Sequence, residues 1–189
     1  MKDSVNILIA EKSDEIIECI SGILKEKDGL NVVGTARNSS GAISKVRDAS
    51  PDVVLLDVNL PPKKGPATLE KMMAIRPVPT IVMAEKGGGD TVMAVKSIQK
   101  GALEYISKPD LPETKDFAEE LISKINKASK VEAETLGPEE QNRRKAGEML
   151  PEAGAAEKKE VVVIGGSTGS PRYLSEIIIN LPDDFPLPI

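Results

Sequence analysis

Short apolar runs alternate along this chain with longer stretches in which apolar residues recur every three or four positions. Val5 to Ala10 (VNILIA), Val32-Val33-Gly34, Val53 to Leu56, Thr80 to Ala84 (TIVMA) and Leu103 to Ile106 (LEYI) are the short runs. Each is the length of a strand, and the run VVLL before Asp57 is apolar throughout, as in a strand buried on both faces of a parallel sheet. Between them, Ile16, Ile20 and Ile23, flanked by Ile17 and Leu24, form a helical stripe. Further stripes run through Ala42, Ile43 and Val46, through Leu69, Met72 and Met73, through Val92, Val95 and Ile98, and through Phe117, Leu121, Ile122 and Ile125. The punctuation agrees. Ser13 is a helix cap with Asp14 and Glu15 in the first turn, Ser39-Ser40 and Gly65-Pro66 open helices, and Asp90 is the expected cap of the fourth. Asp28-Gly29, Pro51-Asp52, Gly87-Gly88-Gly89 and Gly101 mark turns or helix ends. Five strand–helix units in succession predict an α/β fold, a doubly wound five-stranded parallel sheet of the flavodoxin-like kind, with the short second strand near an edge.

The pattern changes after residue 128. Residues 129–159 are rich in Ala, Glu, Lys, Gly and Pro with few large apolar side chains, and read as a flexible linker. Order resumes at residues 160–189. Val161 to Ile164 is a strand, Gly165 to Ser170 (GGSTGS) a glycine-rich turn, and Pro171 opens a helix through Leu174, Ile177 and Ile178. One strand and one helix bury too little surface to stand alone. This segment is expected to be the first unit of a second α/β domain that continues past Ile189.

Composition narrows the chemistry. The 189 residues carry 25 Lys and Arg against 30 Asp and Glu, a formal net charge of −5, which gives no electrostatic footprint for nucleic acid. No apolar stretch is long enough for a membrane span and the N-terminus lacks a signal-peptide pattern, so a cytoplasmic protein is expected. The single cysteine, Cys19, falls among apolar helix positions and reads as buried filler. There is no histidine, which removes the commonest general base and metal ligand from the chain.

Open α/β sheets carry their sites at the carboxyl ends of the strands. There the first strand delivers Glu11 and Lys12, the third Asp57, the fourth Ala84 and the fifth Lys108. A carboxylate, a second acid and a lysine around one cleft suit phosphoryl chemistry. The aspartate is then the nucleophile, the lysine pairs with phosphoryl oxygens, and a divalent cation neutralises charge as the group moves.

Residues 1–128 resemble the receiver domain of two-component response regulators. The resemblance rests on Glu11 after the first strand, on VVLLDVNLPPKKG ending at Gly65, and on GALEYISKP from Gly101 to Pro109. It implies that Asp57 accepts a phosphoryl group from a histidine kinase with Mg2+ present. It further implies that Glu11, Asp57 and the backbone carbonyl of Asn59 are metal ligands, that Lys108 binds the phosphoryl group, and that Tyr105 is the aromatic switch residue. Two positions depart from the family pattern. Lys12 stands where a second, metal-binding acid is usual, and Ala84 stands where Thr or Ser is usual. A cation repels a cation, so weak Mg2+ binding or none is expected. Two readings follow: an acceptor whose metal is partly replaced by Lys12, or a degenerate receiver that serves as a phosphorylation-independent docking or dimerisation module.

In the second segment Gly165-Gly166-Ser167-Thr168-Gly169 fits G-x-S-x-G between a strand and a helix, a context in which the turn exposes the serine oxygen. A phosphate-binding turn is the alternative, although the string does not satisfy G-x-G-x-x-G. The wider string VVVIGGSTGSPRYL…LPDDFPLPI resembles the start of the catalytic domain of chemotaxis protein-glutamate methylesterases, with Ser170 in place of a usual glycine. The resemblance implies Ser167 as the nucleophile that hydrolyses glutamyl methyl esters on chemoreceptors. A serine of that kind needs a histidine base, which these residues lack.

Overall fold

The computed structural model describes residues 4–62, 64–85, 89–109, 111 and 115–131. The linker, the glycine-rich turn at Ser167 and most of the Gly87-Gly88-Gly89 turn lie outside the described residues. Strands β1 (Val5–Ala10), β2 (Leu30–Ala36), β3 (Val53–Asp57), β4 (Thr80–Ala84) and β5 (Glu104–Ser107) alternate with helices α1 (Asp14–Lys25), α2 (Ser39–Ala49), α3 (Gly65–Ile75), α4 (Gly89–Gln99) and α5 (Lys115–Ala128). The strands form one sheet in the order β2-β1-β3-β4-β5, and every pair is parallel. This is the doubly wound arrangement that the alternation predicts.

Side-chain alternation along each strand divides the core in two. Ile7, Ile9, Val53, Leu55, Ile81, Met83 and Ile106 point to the face covered by α1 and α5. Leu8, Val54, Leu56 and Val82 point to the face covered by α2, α3 and α4. Every residue of β3 is buried, as its unbroken apolar run requires in the middle of a two-faced sheet. Helix α1 starts where Ser13 Oγ accepts from the Ile16 N–H at 3.4 Å, and its buried face is Ile16, Ile17, Ile20, Ile23 and Leu24. Cys19 is half-buried beside that face.

Four local expectations shift. The buried residues of α4 are Ala94, Ser97 and Ile98, and Val92, expected in its stripe, is 54% exposed. β2 has seven residues rather than three, because its polar members Asn31 and Thr35 pair along β1 across an irregular register at Ile7/Leu8. It is nevertheless an edge strand, as β5 is on the other side. β5 starts and ends one residue later than its apolar run, since Ser107 still pairs with Ala84. Asp90 is not the cap of α4 but lies within its first turn, and its carboxylate is drawn sideways to Asn59 and the Glu85 N–H.

The connection from β3 to α3 is tightly folded. Leu60 N–H donates to Asp57 O at 3.2 Å and Gly65 N–H to Val58 O at 2.8 Å. A Cβ on Gly65 would stand 2.7 Å from Val58 Cα and 2.9 Å from Asp57 O, both backbone atoms that cannot swing aside. Gly65→Ala should therefore lower stability by about 1–3 kcal/mol, the usual cost of overpacking a rigid contact. Urea denaturation checks this, and an unchanged midpoint would show that the loop relaxes freely.

Candidate functional site

The carboxyl ends of β1, β3 and β5 bring Glu11, Asp57 and Lys108 together, and all three are buried. The backbone fixes where each can be. Val58 N–H donates to Met83 O at 3.0 Å, which holds the chain leaving Asp57 against β4. Lys108 N–H donates to Ala84 O at 2.8 Å, and Glu11 N–H to Ala36 O at 2.9 Å. The side chains therefore extend into one space above the sheet.

Lys108 Nζ lies 2.9 Å from Glu11 Oε2 and 3.0 Å from Asp57 Oδ1, with the exposed Glu85 carboxylate farther off at 3.7 Å. Glu11 Oε1 accepts from Ser13 N–H at 3.0 Å, so this acid also braces the entry to α1. The ammonium meets Glu11 Oε2 as an ion pair off the line of a hydrogen bond. Asp57 is held unevenly. Its Oδ1 takes Lys108 and the Asn59 N–H at 2.9 Å, whereas its Oδ2 is buried with no hydrogen-bond donor among the described residues. The cation facing Oδ2 is Lys12, whose Nζ is 3.8 Å away on a side chain that is 48% exposed.

Burial pushes the Glu11 carboxyl up. The Ser13 N–H and Lys108 pull it down and Asp57 pushes it up again, leaving it above the usual carboxylate range. Burial by itself lowers the Lys108 ammonium, but Glu11 and then Asp57 outweigh it, and its pKa is raised. Asp90 goes the other way. The Asn59 amide holds it below the usual carboxylate range against a smaller opposing effect of burial, with Glu85 N–H, Lys108 and Lys12 assisting.

Asp90, Ser39 and Thr68 belong to this arrangement although the sequence did not single them out as site residues. Asn59 Nδ2 donates to both Asp90 oxygens, at 2.9 and 2.8 Å, tying the loop after Asp57 to α4. Ser39 N–H donates to Pro61 O at 2.7 Å, and Ser39 Oγ stands 2.7 Å from Thr68 Oγ1, fastening the same loop to α2 and α3. The usable signal was weak, a polar residue at the start of each helix. Ala84 closes β4, nearly buried and paired with Ser107, and contributes no hydroxyl. Tyr105, opposite Val82 on the edge strand, is 39% exposed and stands outside the charged cluster.

The donor set fits a dedicated Mg2+ site poorly. Asp57 Oδ2 and Glu11 Oε2 both lack a hydrogen-bond partner among the described residues and are suitable oxygens, but the Lys108 ammonium stands 2.9 Å from Oε2 and the ammonium of Lys12 faces Oδ2. Mg2+ needs a near-octahedral set of oxygens with carboxylates among them. Among the described residues, no three His, Cys, Asp or Glu side chains are grouped to hold a metal.

Breaking a buried pair by removing one partner costs about 3–5 kcal/mol. Lys108→Met should lose that much at neutral pH, since it strands Glu11 and Asp57 together. Without the lysine the folded-state pKa of Glu11 rises further above its unfolded value. The folded form then binds the extra proton, so the deficit should shrink as pH falls towards about 5. Urea melts at the two pH values test this, and a deficit that grows on acidification would contradict it.

The comparisons agree with this geometry. The family model for the response regulator receiver domain matches residues 7–119. The chain is 32% identical over 191 residues to a protein-glutamate methylesterase/protein-glutamine glutaminase of Geobacillus kaustophilus, covering 98% of this chain and 54% of that protein. It is 32% identical over 188 residues to a Myxococcus xanthus protein of the same description, covering 98% and 53%. The chain thus spans about half the length of the curated relatives it matches. Among solved structures, the response regulator domain of Thermotoga maritima CheB superposes with a TM-score of 0.60 at 25% identity, covering 68% of this chain and 98% of that one. Among the described residues, no helix is long and apolar enough to cross a membrane. With the family model covering more than half of the chain and the sheet order and strand-end cluster in agreement, this chain belongs to the response regulator receiver domain family.

Proposed function

We propose that Asp57 accepts a phosphoryl group from a histidine kinase, and that the phosphorylated receiver controls a protein-glutamate methylesterase acting on chemoreceptors. The observation that carries this is the uneven environment of Asp57. Lys108 and the Asn59 N–H hold Oδ1, which fixes the carboxylate plane, while Oδ2 keeps its lone pairs uncommitted. A carboxylate needs no base to become a nucleophile, which suits a chain without histidine. Oδ2 attacks phosphorus, the bond from phosphorus to the kinase imidazole nitrogen breaks, and its electron pair leaves with the imidazole. Lys108, already in place, offsets the charge added beside Asp57.

The enzymatic half of the proposal rests on the relatives' shared description and on GGSTG at residues 165–169. We assign residues 1–128 to the receiver, 129–159 to a linker and 160–189 to the start of a methylesterase domain, with Ser167 as its nucleophile. A second reading, a phosphorylation-independent docking module, draws on Lys12 beside Asp57 and on the missing hydroxyl at Ala84.

Acetyl phosphate should add one phosphoryl group to the chain, and Asp57→Asn should abolish the adduct, because a carboxamide keeps the shape but lacks the anionic nucleophile. Intact-mass spectrometry reads this directly, and equal labelling of the two proteins would exclude Asp57. For the second segment, the 189-residue chain should not hydrolyse receptor methyl esters, since it has no histidine to activate Ser167. A protein in which the methylesterase domain is complete should hydrolyse them and lose that activity in Ser167→Ala. Full methanol release by the Ser167→Ala protein would remove the serine from the mechanism.

A further inference from the structure

We infer that Lys12 is the resident cation of the Asp57 pocket and makes phosphoryl transfer onto Asp57 largely independent of a divalent metal. The inference rests on the reading of Asp57 as the acceptor. Its ground is the distribution of cations over the two carboxylate oxygens. Lys108 Nζ is 3.0 Å from Oδ1, and Lys12 Nζ is 3.8 Å from Oδ2, the oxygen that has no hydrogen-bond donor among the described residues. The two buried carboxylates, Glu11 and Asp57, thus face two ammonium groups, Lys108 and Lys12. The neighbouring Asp90 carboxylate is occupied by the Asn59 amide and by Glu85 N–H. Glu85 is exposed and 3.7 Å from Lys108.

The position of Lys12 suits the reacting group better than the resting one. At 3.8 Å its ammonium is too far from Oδ2 for a hydrogen bond, and its half-exposed stem leaves it free to adjust. A phosphoryl group arriving at Oδ2 enters the space beside that ammonium, which has three N–H donors for the phosphoryl oxygens. With acetyl phosphate, the Oδ2 lone pair attacks phosphorus and the bond from phosphorus to the acetyl oxygen breaks. The electron pair leaves with acetate, and the product is an aspartyl phosphate. No proton is transferred. Charge develops on the phosphoryl oxygens during this step, where a prepositioned cation is most effective. Ala84 contributes no hydroxyl to the group, and among the described residues Lys12 and Lys108 are its charged partners.

The test is the rate of adduct formation on the full 189-residue chain with acetyl phosphate, in EDTA and in excess MgCl2, followed by intact mass. The wild-type rate should agree within about threefold between the two conditions, because no metal ligand is required. Lys12→Gln should be slower in EDTA by about tenfold or more, as for loss of one group that stabilises developing charge. Lys12→Arg should keep most of the rate, and Lys12→Asp should label only with Mg2+. Far-UV circular dichroism checks that each variant is folded. A wild-type rate that falls about tenfold or more in EDTA would overturn the role of Lys12 while leaving Asp57 as the acceptor. Undiminished labelling of Lys12→Gln in EDTA would overturn it too. No adduct on the wild type in either condition would remove the acceptor assignment and this inference with it.

Discussion

Two carboxylates, Glu11 and Asp57, are withdrawn from water at the top of the sheet, and a single buried ammonium, Lys108, stands between them at 2.9 and 3.0 Å. Neither acid is tolerable there by itself, because an unpaired buried charge costs several kcal/mol. The three groups come from β1, β3 and β5; β1 and β3 are neighbours in the sheet, and β4 lies between β3 and β5. The ion cluster therefore demands that the sheet close in one register. The strand pairing in turn keeps the cluster dry. Function and fold meet at this point, since the same burial that makes the cluster expensive strengthens every electrostatic interaction within it.

The cluster is supported by a rigid floor and a fastened loop. β3 is buried on both faces, so Asp57 cannot move without disturbing the aliphatic layers above and below. The segment after it is bonded back onto itself through Gly65 N–H and Val58 O, onto α2 and α3 through Ser39 and Thr68, and onto α4 through Asn59 and Asp90. A change in charge at Asp57 Oδ2 thus lies next to ties that reach three helices. The Asn59–Asp90 tie is the most exposed of them, and it joins the loop to the start of α4 and, through the Glu85 N–H, to the residue after β4. This places the pocket in mechanical contact with the outer surface without any long-range assumption.

Lys12 gives the pocket its individual character. It is a half-exposed cation beside a buried oxygen that lacks a donor, in a group whose other carboxylate is already engaged. Lys12 offers a positive charge to an incoming ion and leaves the buried Asp57 Oδ2 without a hydrogen-bond donor among the described residues. Ala84 removes a hydroxyl without opening the core, because a small apolar side chain still packs beneath α4.

Much of this was legible along the chain, and for a physical reason. Unbroken apolar runs alternating with stripes of 3.6-residue period are a local consequence of burial, so VNILIA, VVLLD and TIVMA mark their strands to the residue and the isoleucine stripe marks α1. The positions of Glu11, Lys12, Asp57 and Lys108 at strand ends follow from that alternation and from the parallel topology it imposes. Polar strand ends are less legible, which is why β2 runs beyond its apolar core and β5 includes Ser107. Distances between residues far apart in the chain are not legible at all. Asn59 meets Asp90 across 31 positions and Ser39 meets Thr68 across 29, and neither pairing leaves a periodic trace. Which oxygen of Asp57 is held and which is left open depends on two ammonium groups arriving from different strands at different depths. Only the folded sheet decides that, because Lys108 is sealed beneath the loops while Lys12 keeps its stem in water.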